Sequence, residues 1–239
     1  MSGDLYLVRH GQTMFNEKRV IQGWCDAPLT SEGEEQAERI GRYFAREGIA
    51  FDHAYTSTLT RTQQTIERIV DMPYERVEDL REWGFGAFEG ERVDLMPSFP
   101  WGNFYVPFGG EGQMAVRTRV SDALARIMEQ PGHERVLVVS HGSACREFLT
   151  KWVPDGGFGC GKVPGNCSVM HSRSTRARSS WLRSSSRISC EICSGSRNFT
   201  PGVLRSLLLI GLWSAYRLPS WIQGLDEMYN SRLFALHHA

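Results

Sequence analysis

Two short strings hold the residue types that phosphoryl chemistry needs: Arg9-His10-Gly11 and, far downstream, His141-Gly142. An imidazole can act as a nucleophile or exchange a proton near neutral pH. Arg9 adds a fixed charge on a planar fork of donors that matches a phosphate. Gly11 is expected to leave room for a ligand to approach the backbone. Each string follows an apolar run, Leu5 to Val8 in one case and Val136 to Val139 in the other. Such runs predict strands buried on both faces of a parallel sheet. The carboxyl ends of those strands are where open α/β sheets place their ligands. A helix is predicted directly after His141, with Ala144, Phe148, Leu149 and Trp152 on one side. The amides at its start favour an anion. Two histidines, an arginine and a helix N-terminus together make a site for a phosphoryl group.

The surrounding motifs extend this pattern. They are Asn16, Gln22-Gly23, PLTSEGEEQA (Pro28 to Ala37), YTSTLTRTQQT (Tyr55 to Thr65), LREWGFGAFEG (Leu80 to Gly90), GGEG (Gly109 to Gly112) and PGNCSV (Pro164 to Val169). With LVRHG and VVSHG, in this order and at these spacings, the chain resembles the histidine phosphatase superfamily, the phosphoglycerate mutase-like proteins, over about residues 4 to 170. The resemblance implies a three-layer α/β/α sandwich around a mostly parallel sheet. It also implies that His10 is the nucleophile, that Arg9 and Arg61 grip the phosphate from two sides, and that His141 and the Gly142 amide assist. Asn16, Gln22 and Gly23 would touch or cover the phosphate. Glu82 would protonate the leaving oxygen and later activate water. Glu89 is a competing carboxylate that spacing alone does not exclude. No metal or cofactor is implied, because Arg and His supply the positive charge.

Several elements must position these groups. Ser31 with Glu34 reads as a capping box, with Thr30 a second candidate cap, for a helix running through Ala37, Ile40 and Phe44 to near Gly48. A strand is predicted over Phe51 to Ser57, a helix over Leu59 to Val70 that carries Arg61 in its first turn, and an amphipathic helix over Met114 to Glu129. The segment from about 83 to 113 is crowded with aromatic residues. It reads as a satellite core or as an apolar lid over the leaving group. A lid of that kind suits a monoester with an apolar or planar part better than a small sugar acid.

The chain has 239 residues and carries 27 basic and 27 acidic residues. That length suits one α/β domain. The zero net charge argues against a general binder of nucleic acid or membrane surfaces. Met1 to Asp4 lead straight into a strand, and the six cysteines form no regular framework, so a cytoplasmic, thiol-reducing setting is expected. Past Met170 the pattern breaks. His171 to Arg187 is almost all Ser and Arg, without periodicity. Three readings compete for residues 171 to 239: a disordered basic tail, a specialised module, or out-of-frame translation of GC-rich DNA. The last is preferred, because the break falls inside a matching motif. Cys190 and Cys193 form half of a metal or redox motif, and Leu207 to Trp213 is an apolar run too short for a membrane span.

The expected activity is hydrolysis of a small phosphorylated metabolite through a phosphohistidine. Phosphoglycerate mutase is the alternative, and an inactive product with a disrupted C-terminus is the rival from another class. Arg92 is the only basic residue between Trp83 and Val116, which leaves little to bind a substrate carboxylate and favours the phosphatase. A homodimer remains open.

Overall fold

The computed structural model describes residues 3–152, 163–174 and 188–189. Alternation along the strands sets the layers. In β1 (Gly3–Arg9), Leu5 and Leu7 join one core cluster while Tyr6 and Val8 join a second. β4 (Arg135–Ser140) divides the same way, with Val136 and Val138 on one face and Leu137 and Val139 on the other. Both strands are therefore apolar without a break, as a sheet covered on both faces requires. The remaining strands are β2 (His53–Thr56), β3 (Glu75–Arg76), β5 (Val169–Ser174) and β6 (Ile188–Ser189), and the sheet order is β3-β2-β4-β1-β5-β6. β3, β2, β4 and β1 run parallel, whereas β5 is antiparallel to β1 and β6 to β5.

The helices complete the three layers. Between β1 and β2 lie the short α1 (Met14–Lys18) and the longer α2 (Ser31–Arg46). α3 (Thr60–Ile69) follows β2, α4 (Gln113–Glu129) precedes β4, and α5 (Gly142–Trp152) follows it. Ala37, Ile40 and Phe44 of α2 and Ile66 and Ile69 of α3 cover the Tyr6–Val8 face. Val116, Val120 and Leu124 of α4 and Ala144, Phe148 and Leu149 of α5 cover the Leu5–Leu7 face. The expected α/β/α sandwich with a mostly parallel sheet is the observed architecture.

Three expectations change in detail. Thr30, not Ser31, caps α2: its hydroxyl accepts the Gly33 amide, and Ser31 is already helical. Residue 170 is not the end of the sheet, because β5 runs on to Ser174 and pairs with β1 from Val8 to Gly3. Asp4 helps to anchor that extension, accepting from Arg173 Nε at 2.8 Å with its Oδ1 2.8 Å from His171 Nε2. Gly11 does not hold space for a ligand: a Cβ there would overlap the Gly33 carbonyl oxygen of α2, and one on Gly33 would overlap the Gln12 oxygen. Paired glycines let α2 cross the loop after β1 at backbone contact.

The aromatic segment is mainly core. Trp83, Phe85 and Tyr105 are buried in the same cluster as α4 and α5, while Phe104 and Phe108 remain exposed. Among the described residues no helix is long and apolar enough to cross a membrane. The reading of residues 175–187 and 190–239 as tail or out-of-frame sequence, the Cys190/Cys193 pair and the apolar run at 207–213 lie outside the described residues.

Candidate active site

β1 and β4 are parallel neighbours in register, with Arg9 opposite Ser140. The next residue of each, His10 and His141, therefore emerges at the same edge. Their ring centroids lie 5.3 Å apart, and the residues are 3 % and 0 % exposed. Arg61, from the first turn of α3, is fully buried beside them, with its Nε 3.1 Å from His141 Nδ1. The sheet and α3 thus assemble the constellation from three separate segments.

Hydrogen bonding fixes both tautomers. His10 Nδ1 is 2.8 Å from the Gly11 carbonyl oxygen, which can only accept, so Nδ1 carries the proton. The lone pair is left on Nε2. For His141, Arg61 Nε–H can only donate, so Nδ1 accepts and Nε2–H donates to Ser57 Oγ at 2.7 Å. Burial lowers the pKa of His10 well below its ordinary value, and the Arg61 and Arg9 charges push it the same way. Burial, Arg61 and His10 do the same for His141. Both rings are thus held neutral at physiological pH, the form in which an imidazole nitrogen can be a nucleophile.

The cations are held differently. Arg61 Nη1 donates to the Cys25 carbonyl and Asp26 Oδ1, each at 3.0 Å, and Nη2 donates to the Gly23 carbonyl at 2.7 Å. With the bond to His141, four of its five donors are taken, and one N–H remains for an anion. The two-sided clamp expected from sequence is therefore asymmetric. Arg9 donates one bond, from Nη1 to the Pro164 carbonyl at 2.6 Å, and its Nε is buried without a partner. A Cβ on Gly142 would overlap Val163 Cγ1 at 2.6 Å and crowd Arg9 Nε at 3.2 Å. Burial lowers the pKa of both arginines, and the Glu82 charge opposes part of that.

Glu82 sits at the start of α5. Its Oε1 accepts from the Trp83 and Ala144 amides and its Oε2 from the Ser143 amide, each at 2.9 Å. The amides of α5 expected to face an anion are thus met by a carboxylate of the protein itself, which the helix N-terminus favours. Asn16 does double duty: it forms a capping box with Thr13, and its Oδ1 also accepts from Asn166 Nδ2 at 3.0 Å. Its own amide N–H groups are what it can offer a phosphate. Gln22 Oε1 accepts from Thr13 Oγ1 at 2.7 Å, while its Nε2 is buried without a partner. The Gly23 amide is not available to a ligand, because it donates to Glu89.

Sequence reasoning gave Ser57 no role of its own, and Asn166 appeared only inside a matching motif. Ser57 fixes the His141 ring, and Asn166 Nδ2 also donates to the His10 carbonyl at 3.1 Å. Thr65 links the loop to α3, accepting the Gly11 amide and donating to the Arg61 carbonyl. The signal for Ser57 was only that it follows β2, for Thr65 that it lies one turn from Arg61, and for Asn166 its place in the motif before β5.

Comparison with known proteins identifies the family. The family model of the histidine phosphatase superfamily (branch 1) matches residues 5–185. A Salmonella paratyphi B protein named "Probable phosphoglycerate mutase GpmB" is 37 % identical over 155 residues, spanning 59 % of this chain and 70 % of that protein. Among solved structures, Bacillus stearothermophilus YhfR superposes with a TM-score of 0.68 at 28 % identity, covering 79 % of this chain and 96 % of the other. A phosphoserine phosphatase from Entamoeba histolytica, at 24 % identity and a TM-score of 0.60, covers 71 % of this chain and 90 % of its own and shares the fold. The neighbours thus include both phosphatases and mutase-like proteins. On the family match, the chain belongs to the histidine phosphatase superfamily, branch 1.

Proposed function

We propose that the protein is a phosphomonoester hydrolase acting through a phosphohistidine on a small phosphorylated metabolite. The observation that carries this reading is the bare Nε2 lone pair of His10, in a buried site with the Arg61 and Arg9 charges, where Arg9 Nε has no hydrogen-bond partner among the described residues. Buried polar groups are normally satisfied, so an unpaired donor beside a nucleophile fits a ligand rich in acceptor oxygens.

The chemistry follows from the placement. A phosphate dianion meets Arg9, the remaining Arg61 N–H, Gln22 and Asn16. His10 Nε2 attacks phosphorus in line, and the P–O bond to the leaving group breaks. The positive charge that develops on the ring is shared through Nδ1–H with the Gly11 carbonyl. Glu82, holding the proton taken from water in the preceding turnover, gives it to the leaving oxygen. Water then attacks the phosphohistidine while Glu82 takes its proton, which returns neutral His10 and releases phosphate. Charge on the equatorial oxygens is met by donors already in place, and such preorganised stabilisation ordinarily lowers the barrier more than any other effect.

The name of the Salmonella relative favours phosphoglycerate mutase as a second reading. A mutase needs free cations for the substrate carboxylate. Near the aromatic segment Arg92 pairs with Asp94, Arg119 with Glu111, and Arg117 and Arg146 with Glu147. Lys18 and Arg19, which line a pocket with Arg92 and Asp94, are the cations left there for a substrate carboxylate, and their small number supports hydrolysis. A cytoplasmic setting is part of this proposal, and the reduced thiols of Cys25 and Cys167 fit it. The test is release of inorganic phosphate from an aryl phosphate, with acid-labile phosphohistidine trapped by rapid quench. Isomerisation of a phosphoglycerate without release would replace this reading with the mutase.

A further inference from the structure

Glu89, the carboxylate that competed with Glu82 in the sequence, forms no ion pair among the described residues. Its Oε1 accepts the amides of Trp24 at 2.8 Å and Phe85 at 3.0 Å, and its Oε2 those of Gly23 at 3.0 Å and Cys25 at 3.1 Å. Three consecutive amides of one loop thus converge on one carboxylate. The carbonyls of two of those residues, Gly23 and Cys25, are the ones that accept from Arg61 Nη2 and Nη1. A peptide chain with its amides drawn to one side must present carbonyls elsewhere, and here two of them meet the guanidinium. Gly23 has to be glycine for this, because a Cβ would overlap Glu89 Oε1. Trp24, 46 % exposed, ties the same loop to Glu82 by donating from its indole Nε1 to the Glu82 carbonyl at 2.9 Å.

We propose that Glu89 is a positioning residue for Arg61: it shapes the 23–25 loop so that its carbonyls hold the guanidinium against His141 and aim the remaining N–H at the phosphate. This rests on the phosphomonoesterase reading of the site. A carboxylate is required because it accepts at two oxygens. In Glu89→Gln one oxygen becomes an NH2, which would face amide donors and push part of the loop away.

The experiment measures binding of inorganic phosphate to the full chain by titration calorimetry, with KM for an aryl phosphate and thermal midpoint alongside. Glu89→Gln is expected to weaken phosphate binding and raise KM by about tenfold. In an Arg61→Lys background the same change is expected to add less than about twofold, since the residue it acts through is already altered. Glu147→Gln disturbs a buried carboxylate that pairs with Arg117 and Arg146. It should lower the midpoint while leaving phosphate affinity alone. Wild-type affinity in Glu89→Gln, or an equal loss in both backgrounds, overturns the inference. If Glu89→Gln does not fold, Glu89→Asp, which keeps both oxygens one methylene short, is read by the same criteria. Wild-type protein that binds no phosphate refutes the phosphomonoesterase reading and this inference with it. Binding by wild type with Glu89→Gln unchanged refutes this inference alone.

Discussion

One sheet carries two pairs of histidines, one at each end. At the carboxyl ends of β1 and β4, His10 and His141 sit with ring centroids 5.3 Å apart at an interplanar angle of 61°. At the opposite end, where β2 begins and just before β4, His53 and His133 stack at 3.7 Å and 9°. The second pair is the closer one, yet its surroundings give it no comparable chemistry. His53 Nδ1 lies 2.9 Å from the Asp52 carboxylate, and His133 Nε2 lies 2.7 Å from the Tyr55 hydroxyl. The first pair is buried beside Arg61 and Arg9, whose Nε has no hydrogen-bond partner among the described residues. Proximity of two imidazoles is therefore not what makes a site. Burial beside fixed positive charge is, because it keeps the rings neutral and leaves the cations to attract a phosphate.

Removing the nucleophile should break the symmetry between the pairs most sharply. His10→Ala is expected to lower kcat/KM for an aryl phosphate by about 10,000-fold or more, and His53→Ala by less than about threefold. Comparable losses in the two variants would remove the basis for assigning chemistry to one end alone. Glu82→Gln comes next, with kcat lowered by about 100- to 10,000-fold and the greatest loss on substrates with poor leaving groups. An equal loss on good and poor leaving groups would deny it the role of proton donor.

The electrostatic contrast has its own readout. The folded-state pKa values of His10 and His141 lie well below the ordinary 6.5. Below about pH 6.5 the unfolded chain takes up protons there that the folded chain refuses, so stability falls as pH falls. The slope is about 1.4 kcal/mol per pH unit for each such histidine, and the loss ends once pH passes below the folded value. Denaturant titrations between pH 7.5 and pH 5.5 (a range of about two units around that ordinary value) should show this slope, reduced in His10→Gln. An unchanged slope would mean that His10 titrates normally in the fold. The smallest effect belongs to the other end. Tyr55→Phe removes the hydroxyl beside His133 and should cost about 0.5–1.5 kcal/mol of stability with activity intact.

Much of this was legible in the residues. The unbroken apolar runs Leu5 to Val8 and Val136 to Val139 predicted buried parallel strands, and the His-Gly pairs at their ends predicted the site. Arg61 and Glu82 were located by their motif context. Less was legible where a short-range pattern competed with a long-range contact. Ser31 and Glu34 matched a cap, but Thr30 has the backbone angles of one. Gly11 suggested space for a ligand, yet Gly33 of α2 fills it. Serine and arginine in the segment after Met170 hid β5, because strand pairing with β1 does not require an apolar side chain at every position.

The sequence alone determined which residues could do the chemistry and which strand ends would present them, since alternation, strand length and residue type are local properties. Only the tertiary structure decided how each group is used. It set the His10 and His141 tautomers, took up four of the Arg61 donors, placed Glu82 on the start of α5 and gave Glu89 to a loop. Those outcomes depend on hydrogen-bond partners up to 84 positions apart, as between Ser57 and His141. Contacts at such separations are set by how layers pack, which no local spacing encodes.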